Sequence, residues 1–264
     1  MLEIQNAIKV FGRGTPVEHT ALKGLNLSVP DGDFVTIIGS NGAGKSTLFN
    51  AICGTFLLDE GTIVLNGKDI TFLKEHNRAK VIGRVFQDPM VGTAPGMTIA
   101  ENLALAHSRT TASALHFSPT RAQKNLFRER LSEYGMGLED RMETKVGLLS
   151  GGQRQAVTLL MCTIVMPQLL LLDEHTAALD PATAEKVLEL TRKVVRENHL
   201  TCMMITHNMH SALELGNRTL VMDSGNVVLD IQGEERKKMT VPALLEAFRM
   251  VSGHALDNDR MMLS

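Results

Sequence analysis

The chain has 264 residues, 21% of them charged, and a formal net charge of −2. That length can bury a substantial core, either as one large domain or as a core with an insertion. The near-neutral balance argues against a nucleic-acid binder that works through a broad basic face. The three cysteines, Cys53, Cys162 and Cys202, lie in apolar surroundings without C-x-x-C spacing, and read as buried small hydrophobes in a reducing compartment. Met1-Leu2-Glu3-Ile4-Gln5 has neither a basic start nor an apolar run, so no secretory leader is expected. The most apolar stretch, Val157 to Leu172, is interrupted by Thr163, Pro167 and Gln168. It is shorter than the roughly 20 residues a spanning helix needs.

In chain order, Leu2 to Phe11 and Ala21 to Val29 alternate apolar and polar residues as half-buried strands do. Gly12 to Pro16 is the turn between them, and Pro30 to Asp33 turns the chain into a buried strand, Phe34 to Ile38. Directly after it comes Gly39-Ser40-Asn41-Gly42-Ala43-Gly44-Lys45-Ser46-Thr47, which fits G-x-x-x-x-G-K-[ST] between a strand and a helix. Glycines there let several N–H groups approach a phosphate with no Cβ in the way, and the following helix points its positive end at the same anion. Lys45 is expected to reach the β- and γ-phosphates, and the Ser46 hydroxyl to ligate Mg²⁺. The helix runs from Lys45 to Cys53, with Gly54 ending it. Gly61 to Lys68 reads as a strand and an Asn-Gly turn, and Val81 to Phe86 as a short strand leading into Gln87.

From about 88 to 145 the pattern is helical. Thr98 and Glu101 have capping-box spacing, and Ala122 to Tyr134 is a second, charged helix. An α/β alternation then resumes: a helix from Gly152 to Met166, a strand Leu169 to Leu172, a helix from Pro181 to Glu197 and a strand Thr201 to Ile205. Leu220 to Met222 and Asn226 to Ile231 form a hairpin across Ser224-Gly225. Arg236-Lys237-Lys238, after Glu234-Glu235, reads as a solvated loop, and Val241, Leu244, Leu245, Phe248 and Val251 mark an amphipathic closing helix. Parallel strands joined by helices imply an α/β fold of the phosphate-loop kind.

A second chemical centre follows four leucines. Leu169-Leu170-Leu171-Leu172-Asp173-Glu174 carries two acids to the carboxyl edge of a sheet, where ligands bind in open α/β folds. Asp173 is suited to hold Mg²⁺ and Glu174 to polarise an attacking water as general base. Upstream, Leu149-Ser150-Gly151-Gly152-Gln153 opens a helix with two glycines after a serine, a second anion-binding nest. One chain with one phosphate loop has no obvious internal use for it, so it is expected to meet the nucleotide of a second subunit.

Leu-Ser-Gly-Gly-Gln at 149–153 resembles the signature of the ATP-binding-cassette ATPases, and other motifs of that family stand in order around it. Gln87 is similar to the Q-loop glutamine, Ala178-Leu179-Asp180 to the D-loop and His207 to the switch histidine, while Phe11 stands where the family stacks an aromatic on adenine. The resemblance covers Leu2 to about Ile231. It departs at His175, where the family usually has proline or alanine, and in the helix after the signature, Arg154 to Met161. It implies a P-loop NTPase (RecA-like) core with an antiparallel β subdomain, 1–87 and 146–264, and an inserted helical subdomain, 88–145. It also implies two ATP molecules sandwiched between two copies. Each is held by Gly39, Ser40, Asn41, Gly42, Ala43, Gly44, Lys45, Ser46 and Thr47 of one copy and by Ser150, Gly151 and Gly152 of the other, with Gln153 and Asp180 also implied at the nucleotide. Gln87 joins Ser46 and Asp173 at the Mg²⁺, and Glu174, His207, Gln87 and Lys45 serve hydrolysis. The expected setting is the cytoplasmic face of a membrane, with transmembrane permease subunits and an extracytoplasmic substrate-binding protein as partners and no nucleic acid. Ser150 to Ala156 and His175 to Pro181 most resemble bacterial importers of amino acids or related small organics. An exporter ATPase and a non-transport cassette ATPase are the alternatives.

Overall fold

The computed structural model describes residues 1–110 and 119–252. It divides into two compact units, Met1–Arg78 with His199–Ser264, and Ala79–Asn198. The first unit begins with β1 (Leu2–Phe11), β2 (His19–Val29), β3 (Phe34–Gly39), α1 (Lys45–Cys53), β4 (Glu60–Leu65), β5 (Lys68–Asp69) and α2 (Glu75–Arg78). The second holds β6 (Ile82–Val85), α3 (Ile99–Ser108), α4 (Arg121–Ser132), α5 (Gly151–Thr163), β7 (Leu169–Asp173) and α6 (Pro181–Glu197). The chain then returns to the first unit with β8 (Cys202–Ile205), α7 (Met209–Glu214), β9 (Arg218–Asp223), β10 (Asn226–Gln232), α8 (Gly233–Lys238) and α9 (Val241–Ser252).

In the first unit an antiparallel sheet has the order β2-β1-β4-β5. Its register keeps apolar residues opposite each other: Leu2 faces Val29 on one side and Leu65 on the other, and Ile4 faces Leu27 and Ile63. Asn66 and Gly67 close the β4–β5 hairpin with φ of 49° and 74°, the pair of positive angles that a right-twisted two-residue hairpin demands. Separately, β3 lies parallel between β8 and β9, with β10 antiparallel on β9. All six residues of β3 are buried, as a strand covered on both faces must be. Ile38, Val221 and Ile231 of these strands pack with Met209 and Ala212 of α7 and with Leu244 and Phe248 of α9. Val251, on the expected apolar stripe of α9, is instead half exposed.

In the second unit β6 and β7 pair in parallel, Ile82 with Leu169 through Val85 with Leu172. Capping boxes at Thr98, Thr120 and Ser150 start α3, α4 and α5. Ile99, Leu103, Phe127, Leu131, Val157 and Leu160 are buried among these helices. The stretch from 88 to 145 carries α3 and α4, and its residues 111–118 lie outside those described.

The basic run after β10 is a correction. Arg236 sits on α8, where its guanidinium donates to Thr219 Oγ1 at 3.0 Å and to the Ala212 carbonyl at 3.0 Å, and also to the Leu215 carbonyl. It satisfies the last carbonyls of α7 rather than standing in solvent. Six residues are too few to show a helical period in sequence.

Arg78 does the same for α1. It is 1% exposed, and its guanidinium donates to the carbonyls of Ala51 (2.7 Å), Ile52 (2.9 Å), Thr71 (2.8 Å) and Leu73 (2.9 Å). Ala51 and Ile52 are in the last turn of α1, where carbonyls run short of helical donors; the Ala51 carbonyl takes the Gly54 N–H at 3.2 Å as well. Arg78→Met keeps the bulk but removes the guanidinium donor from four carbonyls, of which Ala51 retains the Gly54 N–H. We expect a loss of about 2–4 kcal/mol of stability, read from the urea midpoint, because unsatisfied buried acceptors cost about 1–3 kcal/mol each before the site relaxes.

Candidate active site

The first unit supplies an anion cradle. β3 ends at Gly39, with φ of 154°, and α1 starts after Gly44, with φ of 96°. A Cβ on Gly39 would collide with the Met222 carbonyl oxygen, and one on Gly44 would lie 2.7 Å from the Ala21 carbonyl oxygen. Glycine is required at both by conformation and by space. Inside the loop, Lys45 is buried and its Nζ donates to the carbonyls of Gly39 (2.7 Å) and Ser40 (3.0 Å). The Ala43 N–H closes onto the Ser40 carbonyl at 3.2 Å, and the Gly225 N–H onto the Ala43 carbonyl at 3.0 Å. Asn41, Gly42 and Ser46 are exposed, with Thr47 half-buried behind them.

Ser40 Oγ is buried with no hydrogen-bond partner among the described residues, and a phosphate oxygen would satisfy it. The loop therefore fits the phosphates expected of it. His207 follows β8, the parallel neighbour of β3, so it shares the carboxyl edge from which the loop springs. The Thr206 N–H bonds the Ile37 carbonyl at 3.1 Å and fixes that approach. Phe11, at the end of β1, is 40% exposed and meets the Phe56 ring edge-on at 5.3 Å. Lys9 Nζ lies 5.6 Å and 5.1 Å from the two ring centres. Phe56 has no motif to announce it in sequence; only this contact reveals it.

The second unit supplies the acids. Asp173 ends β7 and Gln87 lies two residues past β6, at the common carboxyl edge of the paired strands. Asp173 Oδ2 accepts from Arg84 at 2.8 Å, and the Arg84 guanidinium lies 4.7 Å above the Phe86 ring. Glu174 takes φ of 46°, an angle that a non-glycine residue keeps only where its neighbours over-determine it. They do. His175 is 2% exposed, its ring hydrogen-bonds Thr191 Oγ1 at 3.1 Å, and its carbonyl accepts from Gln155 Nε2 at 2.6 Å. The same Gln155 Nε2 reaches the Phe86 carbonyl at 3.4 Å. Sequence reading passed over Arg84 and Gln155, since neither belongs to a motif by itself.

At the signature, Ser150 Oγ accepts from the Gln153 N–H at 3.3 Å, and Gln153 Oε1 accepts from the Ser150 N–H at 3.3 Å and from Arg141 at 3.1 Å. Ser150 and Gly151 are exposed at this helix start, whereas Gly152 is buried. A Cβ on Gly152 would collide with Thr183 Cγ2 in the first turn of α6. Gly152 thus also serves helix packing, which the anion-nest reading did not include. Asp180 caps α6 through the Thr183 N–H at 3.1 Å, and hydrogen bonds from the Thr183 hydroxyl and then its N–H lower the carboxyl's pKa.

In the first unit Ser46 carries an exposed hydroxyl, and in the second Asp173 carries a carboxylate; each by itself is a hard oxygen donor of the kind that suits Mg²⁺. No cluster of three or more His, Cys, Asp or Glu that could hold a metal exists among the described residues. No helix among them is long and apolar enough to cross a membrane.

A phosphate loop on a buried parallel strand, two acids after another and a capped glycine signature define a nucleotide-hydrolysing α/β protein. The family model described as ABC transporter matches residues 22–177. The tyrosine transport ATP-binding protein of Clostridioides difficile is 44% identical over 248 residues, covering 94% of this chain and 98% of that protein. A methionine import ATP-binding protein of Bacillus thuringiensis is 36% identical over 86% of this chain, which spans 65% of that protein's length. Among solved structures, a dimeric ATP-binding cassette in a post-hydrolysis state with ADP and Pi superposes with a TM-score of 0.76 at 29% identity, covering 88% of this chain and 98% of that one. Another cassette of an ABC transporter gives 0.78 at 28% identity, covering 94% and 98%. The chain belongs to the ABC transporter family; it is an ATP-binding subunit and an ATPase.

His175 has a measurable consequence. Burial lowers its pKa from 6.5 to about 4, so the folded protein keeps it neutral where the unfolded chain takes up a proton. Between those values the unfolded state binds more protons, and stability falls as pH falls through the window. Comparing pH 7 with pH 5, His175→Asn should flatten the pH dependence of the urea midpoint by an amount equivalent to about 2 kcal/mol.

Proposed function

We propose that this chain is the ATP-hydrolysing subunit of a bacterial importer for amino acids, with an aromatic amino acid such as tyrosine as the first cargo to test. The observation that carries this reading is the 44% identity, over nearly the whole of both chains, to a protein named for tyrosine transport. The sulfate/thiosulfate and methionine relatives are also named for import. Transmembrane permease subunits and an extracytoplasmic substrate-binding protein are the proposed partners, and the cytoplasmic membrane face is the proposed location.

The proposed division of labour follows residue chemistry. The N–H groups of Gly39 to Thr47 and the Lys45 ammonium grip the β- and γ-phosphates, and Phe11 stacks on the base with Phe56 beside it. Ser46, Asp173 and Gln87 would hold Mg²⁺, which when bound would neutralise phosphate charge. Glu174 takes a proton from the attacking water, and His207 orients the γ-phosphate. Ser150, Gly151, Gly152, Gln153 and Asp180 of a second copy close over the nucleotide. The dimeric cassette among the structural neighbours supports that arrangement. Closure drives the permease, and hydrolysis releases it.

Glu174→Gln is expected to keep ATP binding and lose hydrolysis by about 10²–10⁴-fold, the usual contribution of a general base. It should accumulate as an ATP-bound dimer in size-exclusion chromatography; near-normal turnover removes the assignment. Lys45→Ala should weaken ATP binding itself, and unchanged affinity in a direct titration refutes the loop's role. For the cargo, the chain reconstituted with its permease and binding protein should take up labelled tyrosine in an ATP-dependent way. Import of an unrelated solute class, or none, overturns that part alone.

A further inference from the structure

Asp173 ends four buried leucines, and a bare carboxylate in such a setting is costly. Arg84 meets that cost. It sits on β6 opposite Leu171 in register, close enough to the end of β7 for its guanidinium to reach Asp173 Oδ2 at 2.8 Å. The two side chains are only 12% and 13% exposed, so the pair is weakly screened by solvent. The Phe86 ring below, at 4.7 Å, gives the guanidinium a second favourable surface. The Cys162 thiol bonds the Arg84 carbonyl at 3.2 Å and fixes its backbone.

We propose that Arg84 is a resident counter-cation that competes with a divalent ion for Asp173, holding the carboxylate when nucleotide is absent and setting how tightly the ion binds when nucleotide is present. The inference rests on reading Asp173 as a metal ligand. A guanidinium on a carboxylate raises the electrostatic cost of bringing a dication to the same group, and the cost is larger in a poorly screened site. The Phe86 face lets the guanidinium yield without entering an apolar void. Arg84 is a positioning residue in this scheme, since it acts on the ion through Asp173.

The test is Mn²⁺ binding to the full chain saturated with ADP, measured from the free-ion electron paramagnetic resonance signal, so that turnover plays no part. Arg84→Met and Arg84→Gln both remove the charge, while glutamine keeps a hydrogen bond to the carboxylate. Each is expected to bind Mn²⁺ about tenfold tighter than the unaltered protein, a shift within the reach of one unscreened charge. Arg84→Lys keeps the charge and is expected to stay within about threefold of it. Mn²⁺ affinity that is unchanged or weaker in both neutral variants overturns the proposal. If Arg84→Met does not fold, the Gln and Lys pair decides alone: equal affinities in those two also overturn it. Asp173→Asn separates the two layers. If that change leaves Mn²⁺ affinity intact, Asp173 is no ligand and the reading beneath the proposal fails. If it weakens binding and also abolishes the difference between arginine and methionine at 84, both layers stand.

Discussion

The first unit is organised around a buried ammonium. Lys45 is 6% exposed, and it is accommodated because the carbonyls of Gly39 and Ser40 turn inward to accept from it. Turning those carbonyls in gives the loop its curvature and directs N–H groups outward toward an anion. At the two ends of the loop there is no space for a side chain: Gly39 is pinned by the Met222 carbonyl on β9 and Gly44 by the Ala21 carbonyl on β2. Strands from two different sheets thereby press on one loop. The loop is preorganised: the entropy of shaping it is settled in folding rather than at the moment of binding.

A side chain does the corresponding work in the second unit. Gln155, on the helix that the signature opens, is 1% exposed and reaches the carbonyls of His175 and Phe86. Those carbonyls belong to the segments that follow β7 and β6, carrying Glu174 and Gln87. The strained angle at Glu174 is thus braced from both sides, by β7 before it and by His175 after it. The His175 ring adds a further tie. Thr191 gives its hydroxyl proton to the Val187 carbonyl at 2.8 Å, so the imidazole Nε2 must donate to Thr191 Oγ1. That fixes the neutral tautomer and agrees with the pKa lowered to about 4 by burial.

Much of this was legible in sequence where chemistry is local. The bounds of α1 and α6 match their expected ends because Gly54 in the left-handed region and the Asp180-Pro181 start are local signals. The strand, loop and helix order around Gly39 to Thr47, the strand that ends at Asp173 and the helix that opens after Ser150 were legible for the same reason. Three short helices were not, since α2, α7 and α8 have at most six residues and their stability comes from packing. Arg78, Arg84, Gln155 and Arg236 were invisible too. Three of them serve backbone carbonyls and the fourth an acid 89 positions away, and neither kind of partner leaves a pattern in the neighbouring residues. Gly152 was read for its chemistry, and its contact with Thr183 adds a steric reason that only the fold could supply.

Under the roles proposed above, the charges at the two carboxyl edges give a reason for a cation in the chemistry. The first unit offers an ammonium and N–H groups, all attractive to phosphates. The second offers Asp173 and Glu174, both repulsive to them when ionised. A carboxylate assigned as base must remain ionised to accept a proton, so its repulsion of the nucleotide cannot be relieved by protonation. Relief has to come from a positive charge at the other acid. Arg84 already supplies one to Asp173 in the protein alone, but a guanidinium carries a single charge and holds oxygens only through hydrogen bonds, whereas a dication takes carboxylate and phosphate oxygens as direct ligands. A dication held by hard oxygen donors meets both needs. On the proposed roles the acid pair is a division of labour, in which one carboxylate would recruit the charge that lets the other work beside an anion.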